Sequence, residues 1–253
     1  MHRFYTPSQN ICGNKIVISD KAEVHYLRDV LRLKPKDEVI LFDEQGNEYN
    51  SLLEELSHKV VLNIQERRLF CAVKQGNRIS VTCAVAMPKK SKMDDIVDKL
   101  TQLGVERVIP LKTERVITKL DRDKEVSRLA RWRKLAQAAA EQSQRQKLPV
   151  IEPIKELKEL LAQAKALYDL KLISTLADAE RKSLKDIFKG LKPKNVLVLI
   201  GPEGDFSPGE VDLAKKSGCI PVSLGNLVLR VETAAVAVAS ILNYELHTNY
   251  HEF

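Results

Sequence analysis

The fold is decided by the stretch VLVLIGPEGDFSPGE, which occupies residues 196–210. Its first five residues are apolar, and a continuous apolar run of that length predicts a strand buried on both faces inside a parallel sheet. A glycine-rich loop follows, and then Ser207, Pro208 and Glu210 supply an N-cap, a first-turn proline and a capping-box carboxylate. The stretch therefore predicts a strand, a glycine loop and a helix, in that order.

A second glycine loop follows in the same arrangement. The first helix is expected to end near Gly218, and Cys219–Leu224 is predicted to be a strand that leads into Gly225-Asn226. An alanine-rich helix is then predicted from Glu232-Thr233 to about Leu246. Ligands of open α/β sheets bind beyond the carboxyl ends of the strands, and glycine lets backbone N–H groups approach them. Tight turns would explain one such loop, but two loops separated by one βα unit favour a binding site.

Composition excludes several classes of protein. The chain has 253 residues and is 44% hydrophobic, which suits one or two domains with a buried core. No signal-peptide pattern opens the sequence, and the longest apolar run, Ala234–Leu242, is too short to cross a bilayer, so a cytoplasmic protein without membrane contact is expected. The four cysteines form no C-x-x-C pair, and no metal site is predicted. Neither G-x-G-x-x-G nor G-x-x-x-x-G-K-[ST] occurs, which argues against an NAD- or ATP-dependent enzyme.

The positive charge is concentrated in the middle third of the chain. Residues 76–150 carry 17 basic and nine acidic side chains, whereas residues 1–75 carry 11 of each and residues 151–253 carry 13 and 14. A solvated surface is the usual explanation of charge runs. An excess confined to one segment instead suggests contact with a polyanion, and nucleic acid fits better than membrane because no amphipathic anchor accompanies it.

The chain is predicted to contain two domains. Residues 1–75 are predicted to form short strands, with one helix capped by Asp20, and a small barrel-like module would close them. Strands alternate with helices after a boundary near Gln75-Gly76-Asn77, which indicates an α/β domain with a mostly parallel sheet. Its long helix, from about Asp121 to Gln146, is predicted to bury Val126, Leu129, Trp132 or Leu135, Ala136 and Ala139.

Together the glycine motifs resemble the signature of the RsmE family, uridine-N3 methyltransferases of small-subunit ribosomal RNA within the SPOUT superfamily. The resemblance rests on Ile200–Ser207 and Leu224–Ala234, and it extends to Met1–Tyr5 and Glu141–Arg145. It covers nearly the whole chain. Three positions depart from the family pattern, which usually has Gly, Arg and Thr where this chain has Asp205, Leu227 and Val231.

The resemblance implies a fold and an activity. A SPOUT-type knotted α/β methyltransferase domain with a C-terminal trefoil knot would span 76–253, and a PUA-like RNA-binding β-barrel would span 1–75. The implied reaction is S-adenosylmethionine (SAM)-dependent methylation of N3 of a uridine in 16S ribosomal RNA on the assembled small subunit. A catalytically silent RNA-binding or ribosome-assembly protein on the same fold is the alternative. A homodimer is also expected, and the small residues of Ala234–Ala239 would permit close helix packing, although burial within one subunit explains them equally.

The resemblance also implies the residues of a SAM site between the two glycine loops, with a third side closed by the end of a preceding strand. They are Leu176, Ile200, Gly201, Pro202, Glu203, Gly204, Leu224, Gly225, Asn226, Leu229, Arg230, Thr233 and Ala234. Thr233 is predicted to be a helix cap first and a ligand contact second.

Arg230 is the candidate catalytic residue, and Glu203 is a weaker one. Arg230 either stabilises negative charge developing on the uracil ring or pairs with Glu203 or Glu232, and both roles are compatible. Glu203 either orients the substrate or acts as a base, or it is a structural loop carboxylate. RNA contact, with plain solubility as the competing explanation, is predicted for Arg3, Arg28, Lys89, Lys92, Arg115, Gln142 and Arg145.

Overall fold

The chain forms two compact units. The computed structural model describes residues 2–69, 79–89, 92–115, 121–189 and 191–246. One unit comprises Met1–Gly76 with Ala140–Leu148, and the other comprises Asn77–Ala139 with Pro149–Phe253. The boundary predicted near Gln75-Gly76-Asn77 lies outside the described residues, so the division into domains 1–75 and 76–253 stays a prediction.

The first unit contains a mixed six-stranded sheet. Its strands are β1 His2–Tyr5, β2 Ile11–Cys12, β3 Lys15–Ile18, β4 Glu38–Phe42, β5 Glu48–Leu56 and β6 Val60–Arg68. They lie in the order β1-β4-β5-β6-β3-β2, and only β1 and β4 pair in parallel. The strands β1 and β2 are the two edges and do not pair with each other in the described part of the chain. The sheet is therefore open here, and the predicted barrel closure is not seen.

A short helix covers part of this sheet. Helix α1 spans Lys21–His25 and continues as a π-helical turn over Tyr26–Val30. The Asp20 carboxylate accepts two first-turn backbone N–H groups, each at 3.0 Å, which confirms the predicted cap. Val24 and Leu27 are buried in the core of the unit. This packing stabilises the segment, because so short a helix is not stable by itself.

The second unit contains an eight-stranded parallel sheet. Its strands are β7 Ser80–Ala86, β8 Arg107–Lys112, β9 Val150–Ile151, β10 Lys155–Glu156, β11 Leu170–Ser174, β12 Lys182–Ser183, β13 Asn195–Ile200 and β14 Ile220–Ser223. The order is β10-β8-β7-β13-β11-β14-β12, with β9 against β8, and every pair is parallel. This confirms the predicted α/β class.

Helices cover both faces of the parallel sheet. They are α2 Lys92–Gln102, α3 Arg122–Gln142, α4 Leu157–Leu167, α5 Leu184–Phe188, α6 Pro208–Lys216 and α7 Val231–Leu246. Strand β13 supplies Val196, Val198 and Ile200 to the core cluster of α2, α3, α5 and α7, and it supplies Leu197 and Leu199 to the cluster of α4 and α6. Burial on both faces, predicted from its apolar run, is therefore confirmed. Within the ranges described above, no helix is long and apolar enough to cross a membrane.

The long helix α3 differs from its prediction in two respects. It ends at Gln142 rather than Gln146. Val126, predicted to be buried, is 69% exposed, whereas Trp132 is 2% exposed and donates its indole N–H to Asp94 at 3.0 Å. Burial of α3 therefore centres on Trp132. Its indole N–H has a hydrogen-bond partner, as is usual for a buried tryptophan.

Candidate active site

The carboxyl ends of β13, β11 and β14 open into one cavity of about 280 Å³. Because β11 lies between the other two strands and all three are parallel, their following loops meet at one edge of the sheet. The volume is near the lower end of the roughly 300–1,000 Å³ typical of small-molecule sites. The lining consists of residues 174–176, 200–205, 222–225 and 227–229, with Arg181, Val231 and Ala234.

The first glycine loop is packed tightly onto a buried ring. A Cβ atom added at Gly201 would lie 3.1 Å from two ring carbons of Phe206, which is fully buried. The next residue, Ser207, caps α6: its Oγ accepts the N–H of Glu210 at 3.2 Å, and the Glu210 carboxylate accepts the N–H of Ser207 at 2.8 Å. The predicted capping box is confirmed. The loop is therefore held at both ends, by β13 and by the capped helix.

Asp205 connects this loop to the one that follows β11. Its backbone has a φ of 60°, a left-handed conformation that few residues other than glycine adopt readily. One carboxylate oxygen accepts the N–H of Phe206 at 2.8 Å. The other accepts the hydroxyl of Thr175 at 2.9 Å and the N–H groups of Leu176 and Ala177 at 2.7 and 3.1 Å. Two walls of the cavity are thus joined by one side chain.

The second glycine loop presents apolar surface beside the cavity. Gly225 has a φ of 121°, which L side chains rarely adopt, so glycine is required there. Its N–H donates to the hydroxyl of Ser223 at 3.3 Å, which ties the turn to the end of β14. Leu227 and Val228 line the cavity while remaining 78% and 76% exposed.

Most residues predicted to bind SAM line the cavity, namely Leu176, Ile200, Gly201, Pro202, Glu203, Gly204, Leu224, Gly225, Leu229 and Ala234. Asn226, Arg230 and Thr233 are exposed and fall outside the cavity lining. Helix α7 begins at Val231, so Thr233 lies inside its first turn, and the predicted cap role of Thr233 is wrong.

Several lining residues were not predicted from the sequence, among them Ser174, Thr175, Arg181, Val222 and Ser223. Four of them end β11 and β14 or directly follow β11. Their positions at carboxyl ends of parallel strands were a usable signal. Arg181 carried no such signal, because a turn separates it from the strand end.

Arg230 lies directly before α7, between Leu229 and Val231, which both line the cavity. Its two predicted carboxylate partners contact other groups. Glu232 pairs with Lys92 at 2.8 Å, and Glu203 accepts the backbone N–H of Lys89 at 3.3 Å. The hydrogen bond from Lys92 holds the pKa of Glu232 below its ordinary value, and the charge of Arg230 adds a smaller lowering.

The residues predicted to contact RNA in the first unit differ in accessibility. The Arg3 side chain is only 8% exposed, pairs with Glu48 at 2.7 Å and lies 4.1 Å above the ring of Phe42. Its guanidinium also donates to the carbonyl of Arg145, which is itself buried. By contrast, Arg28 and Gln142 are exposed. Arg3 and Arg145 therefore belong to a buried network, while Arg28 and Gln142 are accessible.

In the second unit, the predicted RNA contacts lie close to the cavity loops. Lys89 is exposed, and Lys92 is paired with Glu232. The guanidinium of Arg115 donates to the carbonyl of Gly204, so it supports the first glycine loop. These three basic residues surround the elements that build the site.

Comparison with known proteins agrees with this architecture. Residues 75–243 match the RNA methyltransferase domain family, and residues 18–64 match the RNA methyltransferase PUA domain family. Ribosomal RNA small subunit methyltransferase E of Synechocystis sp. is 34% identical over 87% of this chain and 70% of its own length. The protein of that name from Rickettsia conorii is 30% identical over 95% of this chain and 94% of its own.

A solved structure has the same fold. Ribosomal RNA small subunit methyltransferase E from Neisseria gonorrhoeae, bound to S-adenosyl methionine, has a TM-score of 0.82 and 28% identity, covering 96% of each chain. The fold and the cavity at the carboxyl edge of the parallel sheet thus define an RNA methyltransferase. The chain belongs to the ribosomal RNA small subunit methyltransferase E family, which confirms the resemblance seen in its glycine motifs.

Proposed function

We propose that this protein uses SAM to methylate N3 of a uridine in 16S ribosomal RNA. The observation that carries the proposal is the cavity between two glycine loops, in a chain whose Neisseria relative was solved with SAM bound. The relatives from Synechocystis and Rickettsia are named ribosomal RNA small subunit methyltransferases, which supports that RNA as the substrate. The choice of uridine N3 rests on the resemblance of residues 200–207 and 224–234 to the family signature.

The chemistry of the cavity lining fits SAM. Ile200, Leu224 and Leu229 offer apolar contact for the adenine, and Leu176 would close a third side. Glycine at 225 places no side chain beside backbone N–H and C=O groups that would hydrogen-bond the ligand, and the space next to it is open. When bound, SAM supplies an electrophilic methyl group on a sulfonium centre.

Catalysis would depend mainly on positioning the two reactants. Transfer to uridine N3 needs an in-line approach and loss of the imide proton, which leaves negative charge on the uracil ring. Arg230, next to two cavity-lining residues, would stabilise that charge. Glu203 is the second candidate, either to orient the uridine or to accept its proton. The contact of Glu203 with the Lys89 N–H also suits a purely structural carboxylate.

The proposal includes RNA binding by both units. The PUA match supports this role for the first unit, and we extend it to a PUA-like RNA-binding module. The excess of basic residues over 76–150 supports it for the second.

We also propose a trefoil knot in the C-terminal part. The knot rests on the resemblance of residues 200–207 and 224–234 to the SPOUT signature. Helix α7 follows the second of these segments and packs on α2 and on the central strands β7 and β13.

We further propose a cytoplasmic homodimer that acts on the assembled small subunit. The dimer is supported by the exposed apolar side chains of Leu227 and Val228, because large apolar groups grouped at a surface often mark an interface. The run Ala234–Ala239 does not need a partner, since Ala235 and Ala239 are buried in the core of this chain.

Two measurements test the proposal. Calorimetry with SAM in the presence of a chelator should show binding, as predicted for a site without metal. Incubation with SAM and either assembled small subunits or protein-free 16S RNA, followed by nucleoside mass analysis, should yield 3-methyluridine from the subunits. No heat with SAM, but heat with a nicotinamide or adenine nucleotide, would reject the proposal. SAM binding without methylated product from either substrate would favour the silent assembly protein.

A further inference from the structure

The side chain of Asp205 joins two segments that the sheet itself does not hold together. The parallel pairing of β11 with β13 ends at Ser174 and Ile200. Beyond that register, the chain after β11 and the first glycine loop leave the sheet, and no ladder hydrogen bond connects them. Asp205 spans this gap through its contacts with Thr175, Leu176 and Ala177.

The carboxylate of Asp205 accepts hydrogen bonds on both of its oxygens. It accepts four hydrogen bonds, from Phe206 on one oxygen and from Thr175, Leu176 and Ala177 on the other. Two of these donors are backbone N–H groups of the facing loop, and bonds from N–H groups to an ionised acceptor are stronger than neutral ones. An amide side chain has a single acceptor oxygen and so cannot reproduce the set.

The backbone conformation of Asp205 is locally unfavourable, and the hydrogen bonds of its side chain compensate for it. A left-handed conformation costs an L residue roughly 1–2 kcal/mol, although Asp tolerates it better than most. Glycine would adopt a φ of 60° without strain but would offer no acceptor. The four hydrogen bonds offset the cost and fix the left-handed turn.

The same contacts shape the cavity. Thr175, Leu176 and Asp205 all line it, together with Gly201 and Gly204 of the glycine loop. Leu176 is 52% exposed, so packing around its side chain does little to hold it, and its backbone N–H donates to Asp205 at 2.7 Å. The wall that carries Leu176 therefore depends on Asp205.

We infer that Asp205 is a positioning residue that holds Thr175–Ala177 against the first glycine loop, so that the SAM cavity is shaped before the ligand binds. The inference rests on the proposed function for the identity of the ligand. A preformed site avoids the entropic cost of ordering a loop during binding, and loss of the link should therefore weaken affinity.

The test compares Asp205→Asn and Asp205→Gly with a matched control, Asp169→Asn. Asp169 lies at the start of the same two strands, where its carboxylate accepts the N–H groups of Lys194 and Asn195 at 2.8 and 3.0 Å. It makes the same kind of link at the end of the sheet opposite to the cavity. Calorimetry gives SAM affinity, thermal melting gives stability, and amide exchange of a peptide spanning 174–178 is measured without SAM.

Both Asp205 variants should bind SAM about tenfold or more weakly, the equivalent of one lost charge-assisted hydrogen bond. Their 174–178 amides should exchange faster than in the wild type, whereas Asp169→Asn should change melting without changing SAM affinity. Asp205→Gly, which relieves the left-handed strain, keeps the test valid if Asp205→Asn folds poorly. Wild-type affinity and wild-type exchange in a folded Asp205→Gly would overturn the inference.

Failure of the proposed function would look different. In that case the wild-type protein itself would not bind SAM, while the exchange comparison would still show whether Asp205 holds residues 175–177. Equal losses of SAM affinity in the Asp205 and Asp169 variants would also overturn the inference, because they would indicate a general effect of stability.

Discussion

The ammonium group of Lys92 lies 2.8 Å from the carboxylate of Glu232 and joins the start of α2 to the first turn of α7. The two side chains are 33% and 21% exposed, so the pair is only partly screened by water. Lys92 was predicted to contact RNA. Its pairing gives it a structural role beside the candidate catalytic residue Arg230, and the two roles can be separated by experiment.

Glu232→Gln should reduce stability near neutral pH and matter less in acid. Because Lys92 holds the pKa of Glu232 below its ordinary value, the ionised carboxylate stabilises the fold above the unfolded-state pKa of about 4.3. That contribution is lost as the pH falls through the lower folded-state pKa. The free energy of unfolding should drop by about 0.5–1 kcal/mol at pH 7 and by less at pH 3. Urea unfolding at both pH values measures this.

Glu156→Gln is the matched control, because Glu156 and its partner Lys112 are 66% and 58% exposed and should contribute little. A Glu232→Gln effect of equal size at pH 7 and pH 3 would contradict a role for the ionised pair.

Lys89→Ala and Lys92→Ala should each flatten the salt dependence of RNA binding if the lysine contacts phosphate. Each neutralised phosphate contributes a slope of roughly 0.7–0.9 in a plot of log affinity against log salt, so the double variant should lose up to about two units. Only Lys92→Ala should also lower the melting temperature, because only Lys92 is paired with Glu232. Titrations over roughly 50–200 mM salt measure the slopes. An unchanged slope would exclude phosphate contact by either lysine and leave Lys92 only its ion pair with Glu232.

Arg230→Ala should lower the rate of methyl transfer far more than it lowers SAM affinity. A group that acts on charge developing in the transition state lowers the barrier more than it strengthens the ground-state complex. Loss of one such donor costs about a hundred- to a thousandfold in rate. Single-turnover methylation, SAM binding and melting on the same protein measure the three effects, and Arg230→Lys tests whether positive charge alone restores the rate. Wild-type turnover would remove Arg230 from the mechanism, and equal losses of affinity and rate would make it a binding residue.

Gly201→Ala should damage the first glycine loop, whereas Gly204→Ala should be tolerated. The new methyl group at 201 would meet the fully buried Phe206 ring at 3.1 Å, and at 204 its nearest neighbour is the Arg115 side chain at 3.6 Å. Overpacking of this kind costs about 1–3 kcal/mol because a buried ring cannot move aside freely. Melting and SAM calorimetry on both variants check the difference. Equal behaviour of the two would show that the Phe206 contact does not restrict position 201.

The elements of the fold follow from local patterns in the sequence. The apolar run of β13, the capping box of Ser207 and Glu210 and the cap at Asp20 each involve residues within a few positions of one another. Such signals act through backbone geometry and nearby hydrogen bonds, so they can be recognised without knowledge of the rest of the fold. The two glycine loops were predictable for the same reason, and their placement at one edge followed from the parallel sheet.

Only the tertiary structure determined the contacts between residues that are far apart in the chain. Asp205 bonds to Leu176, Lys92 pairs with Glu232, and Arg3 is buried under contacts with Glu48 and Arg145. The sequence singled out Asp205 as a departure from the family motif, and Arg3, Lys92 and Arg145 as RNA contacts, because it shows their chemistry but not their neighbours. Val126 is exposed and Trp132 buried for a similar reason: helical periodicity offers several apolar faces, and packing against the sheet selects one. The sequence alone thus determined the elements and the motif of the site, and the path of the chain determined which side chains meet there.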